Sequence, residues 1–205
     1  IHYWSGIEEA LQKLGAKVVV TKVPRTGCIR ARAQVLHQIL ETNLSGSNVN
    51  LLAHSMGGLD CRYLITHIPT EKSIVRTLTT IATPHHGSPF MDWSFLVYLP
   101  FHKQHILFCI PLLEPLIQAF DTPAYSNPTT DYCVNYFNKS IPNNPSVAYY
   151  SYDSSTNVPI WSPLYFPYQI IKEKEGPNDG LVSVKSAQWG KYMGTVECDH
   201  WDLTN

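Results

Sequence analysis

The chain has 205 residues, enough for one domain with a substantial buried core. Hydrophobic residues make up 44% and charged residues 15%, which excludes a disordered or fibrous chain and points to a globular enzyme. Fifteen Lys and Arg against sixteen Asp and Glu leave a net charge of -1 with no basic run. Neither nucleic acid nor an anionic membrane surface therefore has electrostatic support as a partner.

In chain order, Val18-Val19-Val20 opens a β-branched run that ends at Pro24, a predicted strand. From Ile29 to Leu44, Val35, Leu36, Ile39 and Leu40 recur at helical spacing. Ser45-Gly46-Ser47 is a turn, and Val49 to Ala53 reads as a short buried strand. A tight turn leads into a helix over about Leu59 to His67, and Val75 to Ile81 is the next strand, stopped by Thr83-Pro84. This alternation predicts an α/β fold with a mostly parallel central sheet flanked by helices. From about Phe90 to Pro145 the rhythm breaks. The segment is dense in large apolar residues and cut by Pro100, Pro111, Pro115, Pro123 and Pro128, so short helical pieces joined by bends are expected. Strand character returns at Val147 to Tyr152, then a Pro- and aromatic-rich loop runs to Tyr168. Glu175-Gly-Pro-Asn-Asp-Gly180, a helix near Ser186 to Trp189, and Asp199-His200 complete the chain.

Five scattered cysteines, Cys28, Cys61, Cys109, Cys133 and Cys198, form no Cys-x-x-Cys pair and point to neither a disulfide framework nor a zinc site. Sequons at Asn43-Leu-Ser45 and Asn138-Lys-Ser140 matter only in a secreted protein. No run is long enough for a membrane-spanning helix, and no signal peptide is visible. The chain opens at Ile1, already inside what reads as an element, so one or more strands are expected upstream.

The strongest chemical signal is Ala53-His54-Ser55-Met56-Gly57, set between a predicted strand and a predicted helix. That is the context of a nucleophile elbow, where a strained turn projects the serine hydroxyl beyond the sheet. Small residues are needed two positions to either side, and Ala53 and Gly57 supply them. A serine nucleophile needs a base, and the base needs an orienting acid. Asp179 and His200 follow Ser55 in the order Ser, acid, His, each in a loop-like setting. Asp153, Glu173, Glu175, Asp199 and Asp202 compete with Asp179 for the acid role. Among nine histidines, His54 is too close to Ser55 along the chain, and His85 and His86 precede every plausible acid. His37, His102 and His105 read as surface or lid residues.

These residues carry a resemblance. His2-Tyr-Trp-Ser-Gly-Ile7, Val49 to Leu59 through Ala53-His-Ser-Met-Gly57, Arg62-Tyr63 and Ile81-Ala-Thr-Pro-His-His-Gly-Ser88 resemble the bacterial triacylglycerol lipases of the Pseudomonas and Burkholderia type. Glu175 to Val184, Trp189-Gly190 and Asp199-His-Trp-Asp-Leu203 are similar to fungal relatives of those lipases. The likeness weakens between about Asp92 and Ser146.

The resemblance implies an α/β-hydrolase fold in a single domain over 1–205, with Ser55 as nucleophile, Asp179 as acid and His200 as base. The backbone N–H of Met56 is implied as one oxyanion donor, the other lying upstream of Ile1. A lid or cap insertion is implied over about 92–145, the lid proper running from Asp92 to Pro123. The implied activity is hydrolysis of long-chain acylglycerol esters through an acyl-enzyme, with no cofactor required. Bacterial members bind calcium through an aspartate two residues after the catalytic histidine, matched by Asp202. The partner aspartate has no counterpart, because 154–171 contains no acidic residue, so a structural calcium is not expected. The bacterial disulfide cysteine after the catalytic Asp is also absent, with Lys185 in that neighbourhood. A phospholipase or acyltransferase with the same triad, or a non-catalytic lipid-binding relic of the fold, would read alike at this level. The expected partner is a lipid ester at an oil–water or membrane interface, met by a monomer. The odd cysteine count and the fungal likeness point to an intracellular, lipid- or organelle-associated setting. The sequons and the bacterial likeness point to secretion.

Overall fold

The computed structural model describes residues 3–24, 27–44, 46–68, 74–101 and 128–204. Four parallel strands lie in the order β1 (Asn48–His54), β2 (Ile74–Ile81), β3 (Ala148–Ser154) and β4 (Lys191–Val196). Register is continuous at their C-terminal ends, His54 beside Ile81, Ile81 beside Tyr152 and Tyr152 beside Gly194. Every loop leaving a strand therefore emerges along one edge of the sheet, where open α/β sheets place their sites.

Helices α1 (Ser5–Lys13), α2 (Ile29–Asn43), α3 (Gly57–His67), α4 (Pro89–Phe101) and α5 (Tyr165–Glu175) accompany the strands. Alternation along β1 sends Val49, Leu51 and Ala53 into the core and leaves Asn48, Asn50 and Leu52 exposed. The buried row packs with Ala33, Leu36 and Leu40 of α2, Cys61 and Leu64 of α3, and Leu78 of β2. A second cluster joins Met56, Phe90 and Met91 to Val158, Leu164, Tyr168, Ile171 and Leu181. A cavity of about 300 Å³ lies at the C-terminal ends of β2, β3 and β4, lined by Ile7, Ile81, Tyr152, Val196, Cys198, Asp202 and Leu203.

Several expectations needed adjustment. Val18 to Pro24 forms no strand, because no described segment runs beside it to complete a ladder. The loop expected to run to Tyr168 already becomes α5 at Tyr165, with Pro167 in the first turn, where a missing N–H costs nothing. The helix near Ser186 is a single turn, Val184–Ala187, and β4 follows it. A π-helical segment, Tyr132–Phe137, continues as Asn138–Ser140 within the proline-cut region. Its Cys133 and Phe137, with Ile141 just after it, are buried against Ile29 and Leu59. The rest of that region, 102–127, which holds most of the expected lid, lies outside the described residues. Among the described residues no helix is long and apolar enough to cross a membrane. Cys28, Cys61, Cys133 and Cys198 are free thiols.

Two buried arginines tie α3 to its surroundings. Arg32 of α2 meets Asp60 of α3 through Nε, at 3.1 and 2.9 Å, and through Nη2 at 2.7 Å. Arg62 stacks on Trp189 at 3.5 Å and on Phe137 at 5.1 Å, and donates to Asn138 Oδ1 and the Ile141 carbonyl. The Asn138 amide also donates to the His85 carbonyl, so a glycan on this sequon would break the contacts that hold Arg62 and His85. Removing one member of a buried ion pair strands the other charge. Asp60→Ala is expected to cost about 3–5 kcal/mol in urea denaturation, and the double variant Arg32→Leu/Asp60→Leu markedly less.

Candidate active site

Ser55 stands between the last residue of β1 and the first of α3 with φ of 53°, in the left-handed region that non-glycine residues avoid. The surroundings over-determine that conformation. Its N–H donates to the Ile81 carbonyl at 2.9 Å, and its carbonyl accepts from Thr83 Oγ1 at 2.7 Å and from the Gly58 N–H at 3.1 Å. Helix α3 must then leave the turn hard against the end of β2. A Cβ on Gly58 would lie 2.3 Å from Thr83 Oγ1 and 2.9 Å from Thr80 Cγ2, a collision. A Cβ on Gly57 would meet only the Ala53 Cβ, at an ordinary 3.7 Å. The glycine that this elbow requires is thus Gly58, one residue beyond the position singled out by the motif. Met56 sits at the N-cap of α3, so its N–H belongs to the first-turn donors that a helix leaves unpaired.

The other two candidates reach Ser55 from loops after later strands. His200 follows β4, and its Nε2 lies 3.0 Å from Ser55 Oγ. Its Nδ1 lies 2.7 Å from Asp179 Oδ2, and its backbone N–H donates to the Asp179 carbonyl at 3.0 Å. An ionised carboxylate only accepts, so the ring proton belongs on Nδ1 and Nε2 can accept from the serine hydroxyl. Asp179 lies in the turn after α5 and is fully buried. Its Oδ1 takes the N–H groups of Leu181 at 2.9 Å and Val182 at 2.8 Å, and its Oδ2 also accepts from Ser154 Oγ at 3.3 Å. Those donors satisfy a buried negative charge and fix the carboxylate plane behind the imidazole.

The competing acids go elsewhere. Glu175 accepts from Ser183 Oγ, and Asp199 Oδ1 accepts the N–H groups of Trp201 and Asp202. Glu173 is exposed, and Asp153 is buried without a hydrogen-bond partner on either oxygen. Asp202 is exposed, and among the described residues no group of three or more His, Cys, Asp or Glu is placed to hold a metal ion.

The remaining histidines also separate. His85 is enclosed between Arg62 Nη1 at 3.3 Å and Thr80 Oγ1 at 2.9 Å, and burial keeps it neutral, well below the usual imidazole range. His86 binds Ser186 through its backbone N–H and Nδ1. His54 borders the Ser55–His200 pair: its ring lies 4.5 Å from that of His200, centroid to centroid, and Tyr3 OH meets its Nδ1 at 2.5 Å. Burial and then the neighbouring His200 hold His54 neutral. Two contributors escaped the sequence reading. Thr83 was visible only as the end of a strand, and Ser154 only as the start of an acid-free stretch. Nothing in a hydroxyl residue's local pattern announces a bond made across the fold.

Comparisons with known proteins agree with this architecture. A family model described as a PGAP1-like alpha/beta domain matches residues 27–103, from before α2 to just beyond α4. Triacylglycerol lipase 2 of Saccharomyces cerevisiae is 39% identical over 216 residues, covering all of this chain and 63% of the yeast protein. The triacylglycerol lipase of Pseudomonas fragi is 34% identical over 102 residues, covering 48% of this chain and 34% of that protein. The curated homologues of this chain are named triacylglycerol lipases. The chain spans less than two thirds of the length of these curated relatives. Among solved structures, the mature Bacillus licheniformis lipase BlEst2 aligns with a TM-score of 0.67 at 22% identity, over 87% of this chain and 69% of that one. The metagenomic carboxyl esterase MGS0156 aligns equally well, with a TM-score of 0.67 at 20% identity over 90% and 54%. The fold is the α/β-hydrolase fold expected from the sequence.

The elbow's packing yields a direct contrast. Gly58→Ala forces a methyl group into Thr83 and is expected to cost about 1–3 kcal/mol through overpacking. Gly57→Ala should cost clearly less, and urea denaturation of the two variants side by side measures the difference.

Proposed function

We propose that this chain carries the machinery of a serine ester hydrolase, a lipase acting on long-chain acylglycerols, with Ser55 as nucleophile, His200 as base and Asp179 as orienting acid. The observation that carries the reading is the continuous chain from Ser55 Oγ to His200 Nε2 at 3.0 Å and from His200 Nδ1 to Asp179 Oδ2 at 2.7 Å. In it, Nε2 takes the hydroxyl proton as Oγ attacks the ester carbon, and Asp179 stabilises the imidazolium. The carbonyl electrons pass to oxygen, where the Met56 N–H at the start of α3 stabilises the new charge. One such donor is typically worth about 3–4 kcal/mol. The tetrahedral adduct collapses by expelling the alcohol, which takes its proton from His200. Water activated by the same histidine then releases the fatty acid.

The apolar packing next to the nucleophile supports a lipid substrate. Met56, the residue after Ser55, packs in an apolar cluster with Phe90, Met91 and Leu181. The names of the curated homologues support the same class. We assign the lid role to the apolar segment from Asp92 to Pro123, within the 92–145 insertion of a single catalytic domain, and expect the protein to work as a monomer at a lipid surface.

The test uses the full-length protein with emulsified triolein, phosphatidylcholine and a soluble p-nitrophenyl ester. The triacylglycerol is expected to be cleaved fastest per unit of enzyme. Ser55→Ala should abolish hydrolysis of all three, and Asp179→Asn should lower kcat by roughly 10⁴-fold by favouring the wrong imidazole tautomer. Undiminished hydrolysis by Ser55→Ala would sink the assignment, and preference for the phospholipid would move the substrate class.

A further inference from the structure

One buried acid has no part in the mechanism just described. Asp153 closes the core side of β3, fully buried, and neither of its carboxylate oxygens has a hydrogen-bond partner. Ionised carboxylates are rarely buried without donors or a cation, because the desolvation cost is too large. The charge acting on Asp153 is that of a second acid, Asp179, and it opposes ionisation. The two are linked through Ser154, the residue after Asp153, whose hydroxyl donates to Asp179 Oδ2 at 3.3 Å. Their donor sets are opposite. Asp179 collects Leu181 N–H, Val182 N–H, Ser154 O–H and His200 Nδ1, while neither Asp153 oxygen has a hydrogen-bond partner and only the backbone N–H of Ser154 nearby favours its charge.

We propose that Asp153 is a positioning residue, a neutral carboxylic acid kept beside Asp179 so that a single negative charge stands behind His200. This inference rests on the Ser55–His200–Asp179 reading. Two adjacent buried carboxyls cannot both ionise cheaply, and the one with donors keeps the charge. Burial first, and the Asp179 charge second, push Asp153 up to about 9. Further titratable groups in this corner come from the segment after β4. They are Cys198, which bonds Ser154 and feels Asp179, then Asp199, His200 and Asp202. When the Asp153 proton leaves to water at alkaline pH, a second charge appears beside Asp179 and drives the carboxylate from its place behind the imidazole. Asp153 thereby sets the alkaline limit of the relay.

The sign of the linked stability effect is fixed. Asp153 holds its proton to about pH 9 in the folded protein, whereas an unfolded chain releases it near 3.8. Between those values the folded state binds more protons, so stability falls as pH rises, and the loss levels off above the folded value. The folding constant changes by up to about tenfold per pH unit in that window.

The experiment compares full-length wild type with Asp153→Asn in two readouts. Urea denaturation from pH 5 to 10 is expected to show the variant gaining on wild type steadily up to about pH 9 and no further. The kcat/KM profile for a soluble p-nitrophenyl ester is expected to fall at alkaline pH in wild type, with that limb displaced by about one unit or more in the variant. A stability difference independent of pH would overturn the neutral carboxyl, and an unmoved alkaline limb would overturn its action through Asp179. Wild type inactive on the ester at every pH would instead defeat the triad reading, while the urea series still decides whether Asp153 holds its proton. Asp153→Ser, smaller and equally uncharged, carries the same two expectations where the amide fails to fold.

Discussion

Everything at the site depends on Ser55 holding a left-handed backbone at the one point where β1 stops and α3 starts. An L-residue pays for that conformation, and it persists only where neighbours fix it. Here the β2 end does so twice, with the Ile81 carbonyl receiving the Ser55 N–H and Thr83 Oγ1 donating to the Ser55 carbonyl. Both partners exist because β1 and β2 run parallel in register to their last residues. The same closeness forbids a side chain at position 58, so sheet register, a glycine and a hydroxyl residue form one device that aims a single oxygen atom.

Aiming the hydroxyl is half of the problem, and charge is the other half. The site gathers two imidazoles, His54 and His200, and two carboxyls, Asp153 and Asp179, within a mostly apolar interior, an arrangement that would be costly if all of them ionised. The structure keeps it affordable by neutrality. His54 is held neutral by burial, neither Asp153 oxygen has a hydrogen-bond partner, and Asp179 is given several donors. Charge is thereby confined to the place where it orients His200. Outside this corner, the buried Arg62 is managed differently, stacked between Phe137 and Trp189 rather than paired with an acid. It joins α3 to the segment before β3 and to the approach to β4, so the helix behind the elbow is anchored on two sides.

The legible parts of the sequence were those whose signal is local. Alternating strand and helix patterns gave the parallel sheet around Val49 to Ala53 and Val75 to Ile81, and the strand–turn–helix context marked Ser55. The chain order of the proposed triad, Ser55, Asp179 and His200, is legible in the sequence, and among the six candidate acids Asp179 is the one the fold brings to His200 Nδ1, at 2.7 Å. What escaped was non-local. Val18 to Pro24 has every strand residue and no strand, because a ladder needs a neighbour that the residues themselves do not encode. Helix α5 hid behind Pro163 and Pro167, which read as loop until the helix start is known. Ser154, Thr83 and Asp153 act through partners dozens of residues away or across a sheet, and no periodicity reports that.

The central claim is that Ser55 is activated by His200 in this geometry. The most direct measurement is reaction of the full-length protein with a fluorophosphonate, followed by peptide mass spectrometry of the adduct. Such reagents need an activated serine and presume no substrate. The account predicts a single adduct on Ser55, absent when His200 is replaced by Ala. A folded protein that takes no label, or takes it equally well without His200, would contradict it.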